Sequence, residues 1–227
     1  MYIQPSSRLV FIGDSITDCG RKRPIGEGGF DQALGNGFVS LVDAALITVY
    51  PDYEIKTINM GVAGNTIRDL KARWESDVLE LKPDWLVINI GINDVWQRFS
   101  RSRQINEHIS VEEYAHTLNY LIQRVRPNLH GLVVMTPYFL EPNLDEPMRA
   151  LMDQFGGAAG EIAFQQQALL VNTQAAFDNL LEWMHPMHLA GDRIHVNMSG
   201  HMVLARAFLH IIGYKWDRSP VSKSNVN

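Results

Sequence analysis

Cysteine is nearly missing from this chain: Cys19 is the single example in 227 residues. No intramolecular disulfide can form and no Cys-x-x-Cys pair exists to grip zinc, so a reducing, cytoplasmic location is expected. Long apolar runs are missing as well. Nothing approaches the roughly 18 consecutive apolar residues of a membrane-spanning helix. Met1 to Gly13 carries only Leu9-Val10-Phe11-Ile12, too short for the apolar core of a secretory signal and without a small-residue cleavage site. Charge of one sign is not gathered into runs: 20 basic against 25 acidic side chains leave a formal net charge of -5, without the basic stripe that a polyanion needs. Nucleic acid and membrane are therefore not expected as partners. Motifs that would fix a function early are absent too: Gly-x-Gly-x-x-Gly for dinucleotides, Gly-x-x-x-x-Gly-Lys-Ser/Thr for nucleotide phosphates, and the Gly-x-Ser-x-Gly nucleophile elbow.

What is present is an ordinary globular composition, 46% hydrophobic and 20% charged, at a length that one core can serve. One domain over 1–216 is expected, with a flexible tail over 217–227. Short runs rich in Val, Ile and Leu alternate with helix-period segments, the signature of a parallel sheet covered by helices. The runs are Leu9 to Gly13, Glu54 to Asn59, Trp85 to Ile90, Leu132 to Thr136 and Leu169 to Asn172, which predicts a five-stranded α/β sheet. Helices are expected over Phe38 to Val49, Thr66 to Leu81, Val111 to Arg126, Met148 to Gln167 and Thr173 to Trp183, with a last one after Asn197 running to a Gly213 cap. Ser110 and Glu113 form a capping box, and Pro83 separates the second helix from the third strand. Gly156, Gly157 and Gly160 predict a break or bend in the fourth helix, each being less favourable there than alanine by up to about 1 kcal/mol.

Four segments at or near strand ends carry the polar chemistry. Gly13-Asp14-Ser15 follows the first strand, where open parallel sheets bind ligands; alone, the serine also fits a hydroxyl satisfying a local turn. Asn59 to Thr66 is a glycine-containing turn that opens a helix and can aim a backbone N–H at an anion. Gly91-Ile92-Asn93-Asp94 offers a side-chain amide that can donate to a developing oxyanion, or simply an Asx turn. In Asp192-Arg193-Ile194-His195, three-residue spacing lets a carboxylate meet the imidazole Nδ1 and leaves Nε2 facing outward. A serine hydroxyl needs such a base, and the base needs a partner that fixes its tautomer.

This ordered set, spanning positions 13 to 195, resembles the SGNH or GDSL-type serine hydrolases, named for Ser, Gly, Asn and His in four sequence blocks. The resemblance implies a flavodoxin-like three-layer α/β/α sandwich, a Ser15, His195 and Asp192 triad, and an oxyanion hole built from the Ser15 and Gly64 N–H groups and the Asn93 side chain. It implies no metal and no organic cofactor. Longer stretches, Phe11 to Arg21, Gly91 to Trp96, Asp69 to Trp74 and Gly200 to Leu209, are similar to the acetyl-xylooligosaccharide esterases of that family. They imply hydrolysis of a small acylated substrate, an acetylated oligosaccharide. Val196 follows His195 where many members have proline, and Gly191 precedes Asp192 where they have a bulkier aromatic.

Trp96 and Tyr138 are candidate substrate-binding aromatics, although an aromatic at either place also serves packing. His185 and His188 have a metal-like spacing without a thiol or a His-Glu-x-x-His helix beside them. His201 is expected to pack inside the last helix. The apolar Trp183-Met184 and Pro186-Met187 cluster suggests homo-oligomerisation. A general short-chain esterase or thioesterase of the same fold, a nucleotide-binding module and a catalytically dead carbohydrate-binding relative are the competing readings. The intact polar set argues against the last.

Overall fold

The structure is a computed structural model that describes residues 1–29, 32–99 and 108–219. A central sheet has strands β1 (Arg8–Gly13), β2 (Gly26–Glu27), β3 (Lys56–Asn59), β4 (Trp85–Asn89), β5 (Gly131–Met135) and β6 (Leu169–Val171) in the order β2-β3-β1-β4-β5-β6. The β3-β1-β4-β5-β6 part is parallel throughout. Both β4 and β5 are buried along their whole length, as strands covered on both faces must be. This is why they read in the sequence as unbroken apolar runs.

Helices cover both sides. They are α1 (Ser15–Asp18), α2 (Phe38–Val49), α3 (Ile67–Ala72), α4 (Ile92–Phe99), α5 (Val111–Val125), α6 (Pro147–Gln165), α7 (Thr173–Leu181) and α8 (Met198–Ile211). In one layer α8 packs against α2 and α7; in the other α5 packs against α3 and α6. Phe11 of β1 locks the first layer, meeting Phe38 and Phe208 edge-on at centroid distances of 5.7 and 5.2 Å. No helix among the described residues is long and apolar enough to cross a membrane.

Among the described residues the sheet has six strands, not five. The extra one, β2, lies in the glycine-rich loop after α1 and pairs antiparallel with β3 through Gly26↔Asn59 and Glu27↔Ile58. Two residues are too few to show a period of two in a sequence. The predicted helix over Thr66 to Leu81 is also divided: α3 ends at Ala72 and a π-turn spans Glu75–Leu79. Between them the Arg73 guanidinium turns inward to donate to Gly13 O and Met60 O. The predicted break in α6 does not occur. Buried Met152, Phe155, Ala159 and Ile162 hold it against the core, so tertiary packing overrides the glycine propensities. The segment after Asn89 is a helix, α4, rather than an isolated turn. Of the expected tail, residues 220–227 lie outside the described residues, while Arg218 pairs with Asp52 and covers the Tyr50 ring at 4.4 Å.

Strand order places the site. From β1 the chain crosses to β3 on one side and then returns to β4 on the other, so the loops after β1, β3 and β4 diverge around one crevice at the carboxyl ends of the strands.

Candidate active site

Ser15 opens α1, directly after β1. Asp14 caps that short helix by accepting the Ile16 N–H at 3.0 Å, and the chain turns away at Cys19 in the left-handed region. The serine is thus held at a sharp bend with its hydroxyl free to point into the crevice. Ser15 Oγ lies 3.0 Å from His195 Nε2 although the two are 180 positions apart.

The histidine loop is built to present that nitrogen. Asp192 Oδ1 accepts the N–H groups of Ile194 and His195 at 3.0 and 2.8 Å, and Oδ2 lies 2.6 Å from His195 Nδ1. Partial burial pushes the Asp192 carboxyl up, but the His195 hydrogen bond and those two backbone N–H groups outweigh it and leave it below its ordinary value. An ionised carboxylate only accepts, so Nδ1 carries the proton and Nε2 turns its lone pair to the serine hydroxyl. Between the two residues Arg193 takes a positive φ of 63°. Its backbone carbonyl accepts the Leu140 N–H, and its side chain pairs with Glu141 and lies over Phe139, 4.6 Å from the ring centre.

The loop after β3 supplies the second wall. Gly61 packs so closely on α1 that an added Cβ would sit 2.2 Å from Asp18 N, and Gly64 has a φ of +81°. Ala63 N–H donates to Asp18 Oδ2 and Asn65 N–H to Val62 O. The Gly64 N–H between them, like that of Ser15, has no acceptor among the described residues. Unpaired backbone donors at a crevice are what an incoming anion requires. From α4, Asn93 Nδ2 donates to Asn65 O at 3.0 Å; an amide nitrogen has two hydrogens, so one remains for a ligand.

The side chains of Asp192 and His195 are 44% and 43% exposed, so this end of the crevice is open to solvent. Trp96 stands at its edge, its ring centre 5.6 Å from that of His195 and the two ring planes inclined at 68°, edge to face. Tyr138 does not stand there. It is fully buried and its hydroxyl donates to Ile194 O at 2.8 Å, so it braces the histidine loop from beneath instead of meeting substrate. Residues that the sequence alone did not single out are Asp18, Arg73 and Asp94, each an ionisable side chain drawn inward to tie loops together. Their signal is only that each sits within three residues of a chemistry-bearing block or a helix end. His185 turns its Nδ1 to the Met187 N–H. His201 is buried with Nε2 3.4 Å from Cys19 Sγ.

A family model described as the GDSL-like lipase/acylhydrolase family matches residues 11–203. An acetylxylan esterase of Geobacillus stearothermophilus is 49% identical over 219 residues, covering 96% of this chain and 100% of that protein. The crystal structure of that esterase superimposes with a TM-score of 0.94 over the same shares of the two chains. Its solved forms include catalytic mutants in which a serine, an aspartate or a histidine is replaced by alanine. An alpha/beta hydrolase enzyme from the metagenome of Lake Arreo, Spain, is 46% identical, with a TM-score of 0.91 over 94% of this chain and 98% of that one.

Proposed function

The chain belongs to the GDSL-like lipase/acylhydrolase family and is a carboxylic ester hydrolase, and from that premise we propose that it deacetylates xylooligosaccharides with Ser15 as nucleophile. The observation that carries the reading is the hydrogen-bonded chain from Ser15 Oγ to His195 Nε2 at 3.0 Å and from His195 Nδ1 to Asp192 at 2.6 Å. In the proposed mechanism Ser15 Oγ attacks the ester carbonyl carbon while its proton passes to His195 Nε2. The carbonyl π pair moves onto oxygen, where the Ser15 and Gly64 N–H groups and the Asn93 amide donate to the oxyanion. Asp192 stabilises the imidazolium. Collapse breaks the bond to the sugar oxygen, which takes the proton from His195 and departs. Water then attacks the acetyl-serine, losing a proton to His195, and the second collapse returns that proton to Ser15 Oγ and frees acetate.

An acetyl ester of a sugar is favoured because the relative at 49% identity is named an acetylxylan esterase. The open triad suits an oligosaccharide as leaving group, and Trp96 offers a sugar ring a face beside His195. We further propose that the enzyme is one domain over 1–216, cytoplasmic in keeping with its lone cysteine. Trp183 and Met187, 85% and 61% exposed, support assembly into a homo-oligomer through that apolar surface. The deciding experiment compares acetylated xylooligosaccharides, acyl-CoA thioesters and longer-chain aryl esters. Acetylated xylooligosaccharides are expected to give the highest kcat/KM, and faster cleavage of octanoyl esters overturns the substrate class.

A further inference from the structure

Asp94 takes no part in the reaction as written, yet it is a carboxyl group withdrawn from water. It is 2% exposed, in the first turn of α4, immediately after Asn93. Burying such a group is unfavourable unless hydrogen bonds compensate, and a carboxylate serving only the α4 dipole could do so from the surface. Its Oδ1 accepts the Ile67 N–H at 3.0 Å, while Oδ2 has no hydrogen-bond partner among the described residues. Ile67 is the first residue of α3. The capping box between Thr66 and Asp69 occupies the backbone N–H groups of those two residues, which leaves the Ile67 N–H for Asp94.

The acceptor therefore belongs to the segment that carries Asn93, and the donor to the segment that carries Gly64. This buried hydrogen bond spans the gap between two of the three proposed oxyanion donors, beside the one that Asn93 Nδ2 itself donates to Asn65 O. On the far side of Gly64, Asp18 accepts the Ala63 N–H at 2.9 Å and pairs with Arg23, so the turn keeps its own anchor to α1. What Asp94 adds is a second tie from that segment to α4, one that does not use the Asn93 amide and so leaves its remaining hydrogen free to be aimed.

We propose that Asp94 is a positioning residue for the ester hydrolysis: by accepting the Ile67 N–H it fixes the Asn93 amide relative to the Gly64 N–H, so that both reach one oxyanion. This rests on the oxyanion assignment proposed above. Oxyanion donors act at about 2.7 to 3.1 Å from the oxygen that becomes charged, and a misplacement of about 1 Å is worth roughly 100-fold in rate.

The test measures kcat and KM on an acetyl ester, with thermal unfolding, for Asp94→Ala, Asp94→Asn, Asn93→Ala and the Asn93→Ala/Asp94→Ala double variant. Asp94→Ala is expected to lower kcat at least about 30-fold with KM within about threefold. Asp94→Asn keeps a carbonyl oxygen for the Ile67 N–H and is expected to bring kcat back to within about fivefold of wild type. The double variant is expected to be no more than about threefold slower than Asn93→Ala, because a donor already removed cannot be misplaced. A merely structural carboxyl predicts instead losses that multiply with Asn93→Ala. Wild-type kcat in Asp94→Ala, a raised KM at unchanged kcat, or multiplying losses overturn the proposal.

Should Asp94→Ala not fold, Ile67→Pro removes the donor in its place. Proline is accepted at the first position of a helix, and the extended backbone of Thr66, φ -97° and ψ 177°, suits the residue before it. The same fall in kcat is expected, and full kcat in Ile67→Pro overturns the proposal equally. Ser15→Ala separates the two levels. If it stays active, the assignment beneath fails; if it is dead while Asp94→Ala keeps full kcat, only the role of Asp94 fails.

Discussion

Two side chains test the chemistry in different ways. Ser15→Ala removes the proposed attacking oxygen from a site whose neighbours are already held by backbone contacts, so kcat should fall by about a millionfold. Covalent labelling by an organophosphonate should disappear while the melting temperature stays near wild type. Labelling that persists would put the nucleophile elsewhere. Asn93→Ala removes the proposed oxyanion donor, which would act on the tetrahedral oxyanion more than on the planar ester. It should lower kcat by about 100- to 1,000-fold and move KM little. A kcat within about threefold of wild type, under roughly 1 kcal/mol of barrier, would reduce Asn93 to a turn residue tied to Asn65.

At the scale of elements, the loop after β3 carries the most constraint, and its two glycines differ in kind. Gly61 faces backbone: a Cβ there would stand 2.2 Å from Asp18 N and 2.6 Å from Thr17 C, atoms that cannot swing aside. Gly64 faces open space and holds only a positive φ of 81°, a strain of about 1 to 3 kcal/mol for an L side chain. Gly61→Ala should therefore be the more destabilising. If α1 must shift to admit the methyl, a loss above about 3 kcal/mol lowers the melting temperature by roughly 6 °C or more for a domain of this size. Thermal unfolding of the two variants side by side decides it, and a larger drop for Gly64→Ala would reverse the argument.

For the whole molecule, buried ionisable groups set how stability varies with pH. Burial raises Asp14 to about 7, against the Ile16 N–H and the neighbouring His195 and Arg73 charges. Burial likewise raises Asp94 to about 7, with the Ile67 N–H opposing and Asp14 adding to the rise. Each keeps its proton in the folded chain after the unfolded chain has lost it, so each withdraws stability as pH rises from about 4 through about 7. Burial lowers His201 to about 4, which works in the opposite sense: stability is lost as pH falls from about 6.5 toward 4. Asp94→Asn cannot titrate. Its melting temperature relative to wild type should rise between about pH 5 and about pH 7.5, and a constant difference across that window would show that Asp94 does not carry the shift.

Local chemistry was legible in the residues themselves. The Val, Ile and Leu runs of β1, β4 and β5 mark strands buried on both faces. Asn197 marks the start of α8, and Asp192 three places before His195 marks a loop that closes on itself through its own hydrogen bonds. Such features depend on neighbours in the chain, so α/β architecture and the four chemical blocks follow from order and spacing. Tertiary structure alone decided the rest. Strand order carries Ser15 to His195 across 180 positions. Pairing with β3 makes a strand of Gly26–Glu27, which has no period to read. Burial turns Tyr138 from a candidate sugar contact into a brace on Ile194 O and draws Asp94 inward to Ile67. A side chain's partner across the fold is set by which loops the sheet gathers at one end, and that is settled only when the whole core is buried.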